Sequence, residues 1–98
     1  MTQENYARIV LFKEGDTHIA QCLEFDIMAH GASEEIALKR FEAVFNFERN
    51  LSIERGRSPF ANIPEAPKEF FEMWDKCGEK EDLTFSQTQL SVANCLAA

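Results

Sequence analysis

Residues 19–38 read I-A-Q-C-L-E-F-D-I-M-A-H-G-A-S-E-E-I-A-L. Apolar residues persist to Phe25, Asp26 interrupts them, and they resume at Ile27. The pattern predicts a strand, an acidic bend and a second short strand, since strand side chains point alternately to opposite faces. Gly31 ends that strand and supplies a backbone conformation that other residues resist. Ser33 can accept from the free donors at the start of a helix, and Glu34 and Glu35 suit its positive end. Strand, bend, strand and helix describe a scaffold. No catalytic constellation lies in this stretch.

Working toward the N-terminus, residues 6–13 form a run with Ile9, Val10, Leu11 and Phe12 in succession. A strand of that kind is apolar on both faces, so something must cover each face. Residues 14–17 make a polar, Gly-containing connection of hairpin length. In the strand over 18–25, Ile19, Gln21, Leu23 and Phe25 share one side, and Ala20, Cys22 and Glu24 the other. With 27–30, these segments predict a three-stranded antiparallel meander.

Toward the C-terminus, the helix runs from Ser33 to about Glu54 and ends near Gly56. Ala37, Phe41, Val44 and Leu51 form its central stripe, flanked by Leu38 and Phe45 on one side and by Ile36 and Phe47 on the other. That arc is wider than the roughly 100° needed for one buried face. Phe41, Val44 and Leu51 are expected in the core. Residues 55–66 are a connection, and 67–78 a second helix opened by Pro67, with Phe70, Phe71, Trp74 and Cys77 on its apolar face. Residues 79–82 read as a solvated turn and 83–92 as a fourth strand. One α+β domain over 1–98 is expected, with its core over 6–54. The element order is β-β-β-α-α-β, a three- to four-stranded antiparallel sheet with the long helix on one face.

The chain has 98 residues, a formal net charge of -7 and nine phenylalanines. Acidic charge disfavours a phosphate backbone and attracts a basic protein partner. The phenylalanine surplus suggests a contact between subunits, and Phe45, Phe47 and Trp74 are the candidates, in a homodimer or a higher oligomer. Cys22, Cys77 and Cys95 form no C-x-x-C pair, so neither a zinc knuckle nor a dithiol site is implied. The first five residues lack a signal-peptide pattern and no apolar run reaches membrane-span length, so a reducing cytoplasm is the expected setting.

The run A-Q-C-L-E-F-D-I, then Gly31, a hydroxyl residue at Ser33 and E-E-x-A-L, resembles the HicB-like antitoxin domain over about residues 8–51. The resemblance implies a degenerate ribonuclease-H-like fold without catalysis, in a protein that neutralises a small basic RNA-cleaving toxin of the HicA type. Two departures stand out. Ile36 occupies the third helical position, where a glutamate would complete a capping box. Beyond Gly78 there is no basic helix, so the chain resembles a solitary HicB-like domain and promoter binding is not carried over.

The expected function is therefore a non-enzymatic protein-binding module. Glu24, Asp26, Glu34 and Glu35 are the expected partner-binding residues, acting by charge against a cationic partner. A stand-alone homo-oligomer of structural or regulatory role is the alternative. A metal-dependent nuclease using Glu24, Asp26 and Asp16 is more remote, because such a site needs several convergent carboxylates. His18 and His30 lack ligand spacing, lie near strand ends and are expected to be solvated or hydrogen-bonded histidines. No cofactor, metal, nucleic acid or membrane is expected. Leu96, Ala97 and Ala98 resemble a bacterial protease-recognition tail.

Overall fold

A computed structural model describes residues 6–56, 60, 62–85 and 88–95; the tail at Leu96, Ala97 and Ala98 lies outside them. Five strands and two helices follow in the order β1 (Tyr6–Glu14), β2 (Thr17–Cys22), β3 (Met28–Gly31), α1 (Glu34–Glu54), α2 (Lys68–Lys76), β4 (Lys80–Phe85) and β5 (Thr88–Asn94). The sheet order is β3-β2-β1-β5-β4. The expected meander is present, β1 pairing antiparallel with β2 and β2 with β3. Gly15 makes the β1–β2 turn with a left-handed backbone, φ 61°.

The sheet is mixed and five-stranded, which corrects the expected antiparallel sheet of three or four strands. β5 runs parallel to β1, with Ile9 opposite Val92. A parallel neighbour requires a long crossover, and the helical middle of the chain supplies it. The single strand expected over 83–92 is instead a hairpin, β4 pairing antiparallel with β5 from Lys80 opposite Ala93 to Phe85 opposite Thr88. Lys80, Glu81 and Asp82, read as turn, thus belong to an edge strand. Their charges suit that position, since they discourage pairing with other chains.

Each face of β1 has its own cover, as its doubly apolar sequence demands. Ala7, Ile9 and Leu11 join Ala20, Cys22, Leu90 and Val92 beneath Ala37, Phe41 and Phe45 of α1. On the opposite face Val10, Leu23 and Ala93 are covered by Phe70, Phe71, Met73 and Trp74 of α2. This two-sided core absorbs seven of the nine phenylalanines. The Phe45 ring lies 4.6 Å from that of Phe60, which stacks on Phe25 at 4.3 Å. Phe60 adopts a left-handed backbone, φ 62°, rare for an aromatic residue, with its side chain buried in this cluster. Burying rings such as Phe41 and Phe45 contributes roughly 2–3 kcal/mol each.

Two local readings also change. β2 ends at Cys22 rather than Phe25: Ile27 donates back to the Phe25 carbonyl, and Cys22 to that of Ile27. The bend carries Phe25 from Leu23's side of the sheet into the α1 core. Gly31 has no positive φ; its site is crowded instead, since a Cβ there would meet Ile36 Cγ2 at 2.5 Å and the Ala37 nitrogen at 3.0 Å. Glycine lets the helix start press against the end of β3. Ser33 caps that start as expected, accepting from the Ile36 N–H at 3.2 Å. Gly56 follows the helix end with φ 73°.

Candidate protein-binding surface

The outer side of α1 carries Ile36, Arg40, Ala43, Val44 and Phe47, all within about 100° of the helix circumference at 3.6 residues per turn. The ridge extends roughly 16 Å along the axis, at 1.5 Å per residue. Ile36 is 38% exposed, Val44 39% and Phe47 61%, and Met28 on edge strand β3 is 41% exposed. α1 runs back along β3, so Ile36 touches Gly31, and a shallow groove is lined by Met28, Ala29, His30, Arg40, Ala43 and Val44. Arg40 Nη1 donates to the His30 carbonyl at 3.1 Å, tying the helix to the edge strand. Contiguous apolar exposure of this kind marks a contact surface more often than chance.

Val44 thus lies outside the core in which it was expected. The buried centre of α1 is Ala37, Phe41 and Phe45, displaced toward the Phe45 flank of the expected stripe. The opposite flank is left to solvent. A signal for this was present in the recurrence of Ile36, Val44 and Phe47 at helical spacing, about a third of a turn from the buried line.

The four acidic candidates fall at two ends of the sheet. Met28 pairs with Gln21 and Gly31 with His18, so Glu24 and Asp26 lie beyond one end of β2–β3, and Glu34 and Glu35 beyond the other. Roughly 10 Å of strand separates them. Glu24 is engaged internally: its Oε1 accepts from the Arg8 backbone N–H at 2.8 Å and its Oε2 from Arg8 Nε at 2.5 Å. Asp26 is exposed and accepts from Gln21 Nε2 at 3.0 Å. Glu34 accepts from Asn94 Nδ2 at 3.3 Å, joining the start of α1 to the end of β5. Glu35 is exposed, with Lys39 Nζ 3.6 Å away. Glu35 therefore lies beside the Ile36 end of the apolar ridge, and Asp26 lies beyond the Met28 end of β3.

The three aromatic candidates do not share a surface. Phe45 is 2% exposed within the α1 core, so its ring is unavailable to a partner. Trp74 packs on the opposite face of the sheet, 5.5 Å from the Arg8 guanidinium and 4.9 Å from Lys80 Nζ. Phe47 alone of the three is open.

The nuclease candidates do not converge: Asp16 lies in the β1–β2 turn, at the other end of β2 from Glu24 and Asp26. No group of three or more His, Cys, Asp or Glu side chains stands close enough to hold a metal ion among the described residues. His30 is exposed and His18 half-buried, with Nδ1 lacking a hydrogen-bond partner among the described residues.

The cysteines depart from expectation, for Cys77 and Cys95 are joined in a disulfide, with their Cα atoms 5.8 Å apart. Cys22 is free and buried. Desolvation pushes its thiol up to about 12, against hydrogen bonding from the Phe25 backbone, and the charge of Glu24 adds to the rise. No helix among the described residues is long and apolar enough to cross a membrane. Comparison with protein-family models, with curated proteins and with solved structures gives no match for this chain.

Proposed function

We propose that this chain is a non-enzymatic protein-binding module of HicB-like type that neutralises a small basic RNA-cleaving toxin of HicA type in the cytoplasm. One observation carries the reading: the apolar ridge of Ile36, Val44 and Phe47 on the outer side of α1, with Glu35 beside its Ile36 end. An apolar centre with charged margins is the anatomy of a protein interface, and the acidic margins favour a cationic partner. The acidic contact set narrows accordingly to Asp26, Glu34 and Glu35, since Glu24 is held by Arg8.

The fold supports the same reading at a finer level. A three-stranded meander, a helical crossover and a strand returning parallel to β1 are compatible with a degenerate ribonuclease-H-like arrangement. The engagement of Glu24 and the distance of Asp16 weigh against a divergent nuclease.

The test is growth rescue. The chain is co-expressed with a HicA-like toxin, ideally the product of a small basic reading frame beside its own. The expected result is rescue by the wild type and loss of rescue when Val44→Asp and Phe47→Asp are combined. Failure of the wild type to rescue, with no such reading frame adjacent, overturns the antitoxin reading.

A second reading rests on the same ridge. Phe47, the most exposed large apolar side chain of the described residues, is equally suited to meet another copy of this chain. A species of twice the monomer mass that reverts to monomer in Phe47→Asp, without toxin rescue, selects the homo-oligomer.

A further inference from the structure

Helix α2 is a weakly held cover on a strongly apolar face. It has nine residues, no side-chain cap at its start, and no fully buried residue. A helix that short is not stable alone. Beneath it lie Val10, Leu23 and Ala93, all fully buried. Before the helix, Ala66 N–H donates to the Leu23 carbonyl at 3.0 Å. After it, Cys77, its C-terminal cap, is bonded to Cys95 directly beyond β5. Cys95 is itself fixed to the sheet, donating its backbone N–H to the Leu11 carbonyl at 2.8 Å. Lys80 Nζ donates to the carbonyls of Trp74 and Cys77 from the same side. Arg8 places its guanidinium 5.5 Å from both the Phe71 and the Trp74 rings.

Both bonded cysteines are only half-buried, whereas Cys22 is fully buried on the other face of the sheet. A reductant can reach the disulfide, and Cys22 cannot exchange with it through the sheet.

We propose that the Cys77–Cys95 disulfide is a redox clasp: its reduction by a dithiol releases α2 and uncovers an apolar face made by Val10, Phe12, Leu23 and Ala93. The exchange is balanced. One thiolate of the dithiol attacks a sulfur of the bridge and expels the other as thiolate, forming a mixed disulfide. The second thiol of the reductant resolves it, leaving a cyclic disulfide on the reductant and two protonated cysteines on the protein. Two electrons and two protons are transferred. In a reducing cytoplasm the clasp opens, and under oxidation it closes. The inference stands on α2 and its face alone and does not depend on the ridge of α1.

The test is amide hydrogen exchange on the full chain, oxidised with glutathione disulfide and then reduced with dithiothreitol. On reduction, protection in residues 68–76 is expected to fall by about a hundredfold to a few hundredfold, the scale that opening a loop of this length implies. Protection in α1 and β1–β3 stays within about twofold, and binding of an anilinonaphthalene dye rises. A variant carrying Cys77→Ser and Cys95→Ser should match the reduced wild type without dithiothreitol. Unchanged protection of α2, loss of protection throughout the chain, or three titratable thiols after oxidation and denaturation would each overturn the proposal.

Discussion

Arg8 and Glu24 are joined at two points: the carboxylate accepts from the Arg8 backbone N–H at 2.8 Å and from its guanidinium Nε at 2.5 Å. The pair ties β1 to the bend after β2 and orients the guanidinium toward Phe71 and Trp74 of α2. Glu24→Ala is therefore expected to destabilise the fold by about 2 kcal/mol, the scale of a charge-assisted hydrogen bond left without its acceptor. Adding Arg8→Ala should cost less than the two single losses summed, because the second change removes a group already stranded. Urea unfolding of the four proteins measures both quantities. A loss within about 0.5 kcal/mol, normal for a surface acid, would return Glu24 to the surface.

The two sides of α1 should respond oppositely to truncation. Phe41 is buried beneath the helix while Phe47 is 61% exposed. Phe41→Ala is expected to cost about 3–5 kcal/mol, through lost transfer energy and a residual cavity. Phe47→Ala should change stability by about 0.5 kcal/mol or less. Chemical denaturation reads the contrast, and comparable losses at the two sites would mean that the helix is rotated from the orientation described.

Gly31 is held to glycine by space. In Gly31→Ala the new methyl would meet Ile36 Cγ2 at 2.5 Å and the Ala37 nitrogen at 3.0 Å, and a cost of about 1–3 kcal/mol follows from overpacking. Ile36→Ala in the same chain removes the nearer contact and should restore part of the loss. No recovery in the double variant would put the conflict in the backbone alone.

Cys22 gives an alkaline signature. Its thiol is pushed up to about 12 from 9.0, chiefly by desolvation, so between those limits the unfolded chain loses a proton that the folded chain retains. Its contribution to stability is full below pH 9 and declines by about 1 kcal/mol per pH unit above it. Cys22→Ala lacks that decline while keeping every other alkaline group. The difference in unfolding free energy between the two proteins from pH 8 to 10.5 isolates the effect, and parallel curves would show the thiol to be solvated.

Much of the fold was legible because its signals are local. The doubly apolar β1 demanded two covers, and Ser33 capped α1 where expected. The parallel pairing of β1 with β5 was not legible, since it joins residues some eighty positions apart and leaves no local periodicity. Lys80, Glu81 and Asp82 looked like a turn because an edge strand carries the same charges. The proposed binding surface was half legible. Phe47 was a candidate and Ile36 was read on its flank, but Val44 was assigned inward, the centre of a broad apolar arc being ambiguous by a third of a turn. Phenylalanine surplus misled for a different reason: a two-faced sheet has two cores to fill, and Phe45 fills one of them.

The central claim is that this chain binds and silences a basic RNA-cleaving protein, and the most direct measurement is RNA cleavage by a purified HicA-like toxin titrated with the purified chain. Cleavage should fall to background near one binding site per toxin and persist when Phe47→Asp and Val44→Asp are combined. Undiminished cleavage at a tenfold excess of the folded wild-type chain would contradict the account.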